Sequence, residues 1–372
     1  MKFTTNREAL LRALQLVTGV VERRQTLPVL ANLLVVAKDG VVSLTGTDLE
    51  VELVAVADGV AIEQEGAATI PARKLADIWR SLPESAEVSV QIEGDRAILR
   101  SGRSRFALAT LPAGDFPKVD SGPGDLELKL PEQDLRRLLD QVSFSMAQQD
   151  VRYFLNGMLL EVSPQHVRTV ATDGHRLAMC TLAHGVAGAD RVQAIVPRKG
   201  VLELGRLLAS ASGGDAEREA VLHVGSNHLR VTQGAFTLTT KLVDGKFPDY
   251  EKVVPRVEAS PVIGDRDTLK QAFHRAAILS NEKYRGIRLI LDRDQLTIQA
   301  NNPEQEEAEE VVAVDYGGDR MEIGFNVSYL QDVLNVISTE QVRVTVADAN
   351  SSALIEGQGD EDALYVVMPM RL

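Results

Sequence analysis

The stretch TIPARKLADIWRSL, residues 69–82, reads as a short apolar strand, a proline, two basic residues and an amphipathic helix. It returns as QAIVPRKGVLELGRLLA (193–209) and, more faintly, as MEIGFNVSYLQDVLNVI (321–337). Pro71, Pro197 and Phe325 head these copies at a spacing of about 126 to 128 residues, so one unit of about a third of the chain is used three times. Three tandem domains are expected, at 1–122, 126–252 and 256–372. Each proline is placed to open its helix at the first helical position, where a missing N–H loses no partner. Asn326 is placed to cap the third helix. Leu75, Ile78, Trp79 and Leu82 form one apolar stripe, as do Val201, Leu204 and Leu208. Arg73 and Arg80 stand two helical turns apart, as do Lys199 and Arg206, so each pair projects from roughly one face.

Those basic faces sit on an acidic protein. Its 40 lysines and arginines against 53 aspartates and glutamates give a net charge of −13, which by itself argues against a polyanionic partner. Global charge does not say where the charges lie, so the contradiction is local and informative. Aromatic residues make up 4%, too few for base stacking to carry nucleic-acid contacts. The single cysteine, Cys180, excludes an internal disulfide and a cysteine-rich metal site. No apolar run reaches a membrane span and no signal segment is recognisable, so a soluble, cytoplasmic chain is expected.

The order strand, helix, three strands occurs twice in each third, so every unit offers a helix to cover a sheet and the class is α+β. In the first third this predicts a strand over 2–4, a helix from Asn6 to about Val21 with Thr5 and Glu8 as a capping box, and strands near 30–37, 41–47 and 51–57. After the TIPARK helix come 87–93, 97–101 and 105–110. The second third reads as a strand over 126–130, a helix opened by Pro131, strands near 157–162 and 167–171, then 220–224, 229–232 and 236–241. The last third reads as 261–263, a helix carrying Leu269, Phe273 and Ala277, then strands at 287–291, 296–300, 342–346, 352–355 and 364–368. Proline and glycine mark the junctions, Phe116-Pro117 through Gly124 and Phe247-Pro248 through Pro261, and SASGGD (210–215) reads as a surface loop.

Catalytic signatures are missing. There is no G-x-x-x-x-G-K-[ST] loop, H-E-x-x-H, CxxC or G-x-S-x-G elbow. Asp173 and His175 in TVATDGHR invite a hydrolase reading, but the parallel TGTDLE of the first third has no histidine, so a strand-end turn or binding surface is expected there. The acidic run NNPEQEEAEE (301–310) lacks the pattern of an EF-hand loop and reads as a charged edge or interface. No metal or cofactor is expected.

Nearly the whole chain resembles the bacterial β sliding clamps, the processivity subunits of DNA polymerase III holoenzyme. The motifs that carry the resemblance are MKFT, LTGTDLE, PARK, RSGRSRF, QDVRYFLNGM, TVATDGHRL, VPRKG, KLVDGKFPDY, ILSNEKYRG, NNPEQEEAEE, EIGFNVSY and YVVMPMRL, in order across all three thirds. The resemblance implies the DNA-clamp fold and a non-enzymatic homodimer, closed head to tail into a ring that encircles double-stranded DNA without reading sequence. Helices would line the ring, with sheets outside. Candidate DNA contacts are Arg24, Arg73, Lys74, Arg80, Arg137, Gln149, Arg152, Tyr153, Arg198, Lys199, Lys252 and Arg285; the third repeat's second helix has no base, leaving Lys270 and Arg275 of its first. The closing edges would pair Arg96, Arg103, Arg105, Phe106 and Leu108 with Ile278, Leu279, Glu304, Glu306, Glu307, Glu309 and Glu310.

Family likeness also implies a groove for short linear peptides of DNA polymerases, a clamp-loader ATPase and repair proteins. Carried over by position, its wall is Leu155, Thr172, Gly174, His175, Arg176, Leu177, Pro248, Val253, Asn326, Tyr329, Ser352, Val366, Met368, Pro369, Met370 and Arg371. A terminus of alternating methionine and proline fits a site shared by varied apolar side chains. A repeat scaffold that binds proteins alone would explain the repeat but not the basic faces.

Overall fold

Six times among the described residues a strand turns into a helix with no loop between them, and that junction organises everything else. The computed structural model describes residues 1–22, 27–119, 124, 126–187, 190–211, 218–256 and 258–371. Its first repeat runs β1 (Lys2–Asn6), α1 (Arg7–Val17), a 3-10 turn at Pro28–Ala31, β2 (Asn32–Lys38), β3 (Val41–Thr47), β4 (Val51–Ala57), β5 (Ala61–Gln64), β6 (Gly66–Pro71), α2 (Ala72–Ser81), β7 (Glu87–Glu93), β8 (Arg96–Ser101) and β9 (Ser104–Ala109). The second has β10 (Leu126–Pro131), α3 (Glu132–Asp140), β11 (Gly157–Val162), β12 (Val167–Thr172), β13 (Arg176–Leu182), β14 (Val192–Pro197), α4 (Arg198–Ala211), β15 (Glu219–Val224), β16 (His228–Gln233) and β17 (Phe236–Lys241). The third has β18 (Val262–Asp265), α5 (Arg266–Ala277), β19 (Gly286–Asp292), β20 (Gln295–Asn301), β21 (Glu307–Ala313), β22 (Met321–Asn326), α6 (Val327–Val336), β23 (Gln341–Thr345), β24 (Ala353–Gly357) and β25 (Ala363–Val367).

Pro71, Pro131 and Pro197 do not occupy the first helical position. Each is the last residue of its strand, held in the ladder opposite Asn32, Glu219 and Gly157 respectively, and the helix begins one residue later. The other three junctions use side-chain caps: Asn6 accepts from the Ala9 N–H, Asp265 from Thr268 and Asn326 from Ser328. The expected Thr5–Glu8 box does not form, because β1 pairs with β7 as far as Asn6 and keeps Thr5 in the ladder. Glu8 accepts instead from the Ser85 N–H at 3.0 Å. In five of the six helices the first N–H donates to a neighbouring segment: Arg7 to Ala86, Glu132 to Arg218, Arg198 to Asn156, Arg266 to Glu340 and Val327 to Arg285. An orphan donor at each helix start is thereby satisfied without a loop.

The chain divides into two compact units, one of residues 1–135 with 199–242 and one of 136–198 with 243–372. The first holds a sheet of order β5-β1-β7-β8-β9 and an eight-stranded sheet β10-β15-β16-β17-β4-β3-β2-β6. The second holds an eight-stranded sheet β14-β11-β12-β13-β25-β24-β23-β18 and a four-stranded sheet β21-β20-β19-β22. The repeating element is a four-stranded set, the three strands after one helix plus the strand before the other; β5 adds a fifth strand to the first sheet. Both eight-stranded sheets arise where two repeats pair edge to edge, β4 with β17 and β13 with β25. The middle repeat therefore gives half its strands to each unit.

Strand faces alternate as a half-buried sheet requires; β4 buries Val51, Leu53, Ala55 and Ala57. Helix stripes close over them: α1 buries Leu10, Ala13, Leu14, Leu16 and Val17, and α2 buries Ala72, Leu75, Ala76 and Trp79. Two strands escaped the sequence pattern, β5 and β13, and β21 was read only as a charged strand edge or interface. The LAMC run of β13, RLAMCTL, gives no apolar–polar alternation, while only Val312 of the charge-rich β21 is buried. Helix α4 runs on to Ala211, so Ser210 is helical and not in a loop; 212–215 lie outside the described residues. Trp79 has no exposed surface, yet its indole N–H finds no acceptor among the described residues. Trp79→Ala should cost about 3–5 kcal/mol of unfolding free energy in urea titration, and Trp79→Phe distinctly less, since it also removes an unsatisfied donor.

Candidate peptide groove and nucleic-acid interface

The turn between β12 and β13 is built from Thr172 and Asp173. The Thr172 hydroxyl donates to the Arg176 carbonyl at 2.6 Å and accepts from the Gly174 N–H, while Asp173 accepts from the N–H groups of His175 and Arg176. Gly174 has φ 89°, where a β-carbon would also meet the Arg152 guanidinium at 3.0 Å. The expected strand-end turn is thus observed, and the Asp173 carboxylate that suggested chemistry is occupied by backbone and by Arg176.

Arg176 is the centre of the second unit. Its guanidinium donates to Asp173 at 3.0 Å, to Asp332 at 2.5 Å and to the Phe144 carbonyl at 2.9 Å. It also lies over the rings of Tyr329 at 4.6 Å and Phe144 at 5.2 Å. Burial, with Asp173 close by, pushes the Tyr329 phenol above its usual range. His175 stacks on Tyr329 with ring centroids 6.3 Å apart. One residue thus joins the β12–β13 turn, helix α6 and the segment after α3.

The chain's last residues run along this cluster. The Met368 N–H donates to the His175 carbonyl at 2.9 Å and the Met370 N–H to Gly324 at 2.8 Å, so the tail bridges the unit's two sheets. Met368 is 40% exposed, Val253 is 36% exposed, and Pro248 and Arg371 are exposed. Leu155, Leu177 and Val366 lie beneath at 2%, 2% and 1% exposure; Leu177 and Val366 belong to one apolar cluster with Phe247 and Tyr250. Asn326 caps α6, and Ser352 precedes β24, the strand beside β25. The implied wall residues therefore divide into an apolar floor and a partly exposed rim of turn, tail and α6.

The first unit carries a copy of the turn. Thr47 donates to the Val51 carbonyl and accepts from the Leu49 N–H, and Asp48 accepts from Glu50 and Val51. The Lys241 N–H reaches the Glu50 carbonyl at 2.9 Å, as Met368 reaches His175. The copy lacks the groove's other parts. Arg176 is replaced by buried Val51, and the position of Tyr329 is taken by Gly200, whose β-carbon would stand 2.6 Å from the Thr240 hydroxyl. Lys199 reaches across to Asp48 and Glu22.

Several of the candidate DNA contacts, Lys199 among them, already hold a carboxylate. Arg80 pairs with Asp77, Arg137 with Asp360 and Asp362, Arg152 with Asp150, Lys252 with Asp249, and Arg275 with Glu310. Arg198 donates to the Met146 carbonyl, and burial lowers its pKa. Arg285 donates to the Ala277 carbonyl. Gln149 and Tyr153 are exposed. Arg73, Lys74 and Lys270 are exposed and make no ion pair among the described residues. Arg24 lies outside the described residues. Among the described residues no cluster of His, Cys, Asp and Glu is arranged to hold a metal, and no helix is long and apolar enough to cross a membrane.

Three family descriptions match the chain in order: "DNA polymerase III beta subunit, N-terminal domain" over residues 1–120, "central domain" over 129–249 and "C-terminal domain" over 251–371. The chain belongs to the DNA polymerase III β subunit family. It is 59% identical to the beta sliding clamp of Pseudomonas aeruginosa and 54% identical to that of Escherichia coli, over 100% of both chains in each case. A crystal structure of the Pseudomonas aeruginosa sliding clamp bound to griselimycin matches it with a TM-score of 0.95 at 58% identity, again over 100% of both chains. The fold is thus the three-domain clamp fold, and a member of this family is a non-enzymatic processivity factor.

Sequence reasoning missed one cluster in this family member. Behind the groove floor Glu161, with 0% exposure, accepts from His166 at 2.8 Å, Arg191 at 2.7 Å, Gln193 at 2.7 Å and the Tyr250 hydroxyl at 3.2 Å. Burial alone would push its carboxyl up, but the hydrogen bonds from Arg191, His166 and Gln193 outweigh it and hold the pKa at about 2. The signal was a glutamate inside an otherwise apolar strand, GMLLEV.

Arg176→Lys keeps the charge but loses the planar fork and both ring contacts. It should destabilise the protein by about 1–3 kcal/mol in chemical denaturation. Glu161 titrates in the folded state well below the ordinary value of about 4.3, so its stabilisation is present above that pH and is lost as pH falls toward 2. Thermal melts from pH 5 down to pH 2.5 should therefore show a flatter decline for Glu161→Gln than for the unaltered chain.

Proposed function

We propose that two copies of this chain close head to tail into a ring that encircles duplex DNA in the cytoplasm. A clamp-loader ATPase would open the ring, and the Arg176–Tyr329 groove would tether polymerases and repair proteins by short peptides. The observation that carries this reading is the pairing rule of the strand edges. The last strand of one repeat's first half pairs with the last strand of the next repeat's second half: β4 with β17, then β13 with β25. Among the described residues, two such strands have no neighbour on that side, β21 of the third repeat and β9 of the first. An unpaired edge is a template for another chain. The same rule, continued through a second copy, joins β9 to β21.

Register follows from the two joins already made. Glu52 and Leu177, which face Thr47 and Thr172 across their hairpins, pair with Thr239 and Val366. Glu307 faces Asn301 in the same way, and so falls opposite Ala107 of the other copy. That sets Ala308 against Phe106 on the core face and Glu309 against Arg105 on the outer face. Ile278 and Val311, 70% and 58% exposed, are the apolar surface such a contact would cover. Rings form from unlike ends when the rotation closes.

Inside the ring Arg73, Lys74 and Lys270 would meet phosphates directly, and the paired bases would exchange a carboxylate for a phosphate. Such contacts weaken with salt and read no sequence. Retention comes from topology. Griselimycin, which binds the Pseudomonas aeruginosa clamp, is expected to bind this groove too.

The test loads the protein onto nicked circular DNA with its ATPase partner and follows co-elution of the two. The unaltered chain should stay on the circle and leave when the DNA is linearised. Arg105→Glu should run as a monomer and fail to be retained, and adding Glu309→Arg should restore both dimer mass and retention. A retained, dimeric Arg105→Glu would remove the proposed edge, and retention that survives linearisation would remove the ring.

A further inference from the structure

Residues 246–256 join the last β-strand of the second repeat to the third, and carry Pro248 and Val253 of the groove rim. Phe247 and Tyr250 are their apolar anchors, packed on Leu177 and Val366. Polar anchorage is sparse. Among the described residues, the hydrogen bonds and ion pairs from this segment to the rest of its unit involve only Tyr250 and Glu251. Both lead to one atom group. The Tyr250 hydroxyl donates to Glu161 and accepts from Arg168 at 3.1 Å, and Glu251 holds Arg191 at 3.4 Å, whose other contact is Glu161 at 2.7 Å. The Tyr250 carbonyl in turn receives the N–H groups of Val253 and Val254.

We propose that Glu161 is a positioning residue for peptide docking: through Tyr250 it holds the segment that forms one wall of the groove. Glu161 itself is fully buried and touches no ligand. A carboxylate is needed because it can accept from four donors at once and orient each, where an apolar residue in GMLLEV would leave the Tyr250 hydroxyl and Arg191 without an acceptor. Its closeness to the floor matters. The ring of Tyr250 shares a cluster with Leu177 and Val366, so a shift of the phenol moves floor and rim together. The proposal rests on the groove reading above.

Tyr250→Phe keeps the ring and its packing and removes only the hydroxyl; Glu161→Gln is the companion variant, since neutralising a buried partner of Arg191 risks the fold. The probe is griselimycin, titrated onto the full-length protein. Tyr250→Phe should bind about five-fold more weakly, the effect of one hydrogen bond. Dimer mass should stay unchanged. Amide exchange should speed up over 247–254 but not in β13 or β25, a separation that general destabilisation would not give. Met368→Ala serves as the control on the exposed rim. Tyr250→Phe that binds like the unaltered chain while Met368→Ala binds weakly would overturn the positioning role. Unchanged binding in both would overturn the groove and the role with it. Uniformly faster exchange through β13 and β25 would reduce Glu161 and Tyr250 to ordinary supports of the fold.

Discussion

A strand at the edge of a sheet presents a row of unpaired N–H and C=O groups, and a protein made of small sheets must do something with every such row. Here six four-stranded sets are built alike, each with one strand borrowed from before the neighbouring helix. Four of their outer edges are consumed in pairs, β4 with β17 and β13 with β25, giving two eight-stranded sheets. The repeats are thereby welded by backbone hydrogen bonds and not merely by side-chain packing, which is why compact units cut through the middle repeat instead of between repeats. In the proposed ring the two remaining outer edges, β9 and β21, would pair with each other across a dimer.

Repetition of backbone did not bring repetition of side chains. The Thr-Asp turn is reproduced bond for bond at residues 47–51 and 172–176, down to the strand N–H that docks on it. What differs is a handful of side chains. At 172–176 an arginine, two rings and a methionine-rich tail leave a half-open apolar surface. At 47–51 a valine, a glycine against Thr240 and the Lys199–Asp48 pair fill the same place. The scaffold is unchanged and one copy is filled in.

How much was legible in the sequence follows from range. The repeat, the helix stripes and most strands are local patterns, and Leu75, Trp79, Val51 and Leu53 are buried as their spacing requires. The placement of the prolines was off by one because ladder pairing with a distant strand, invisible locally, decided where extended backbone ended. Strand β13 was missed because its run 177–180, LAMC, offers no apolar–polar alternation. Ion pairing was the largest gap. Arg137 meets Asp360, 223 residues away, and Lys199 meets Asp48, 151 away, so part of the basic helix faces read from spacing is paired with carboxylates while Arg73 and Lys74 are not. Glu161 was overlooked because a single charge in an apolar strand has no period at all.

The loopless passage from strand to helix has a consequence for how such a chain can vary. An inserted residue between Pro71 and Ala72 would turn α2 by about 100° about its own axis, swinging Leu75 and Trp79 out of the interior they fill. Deletion would do the same in the opposite sense. Length changes are better accommodated at hairpin tips such as Asp39-Gly40, between the paired Lys38 and Val41, where an added residue displaces no helix. Three domains that have diverged freely in side chains are locked in phase at six points by geometry alone.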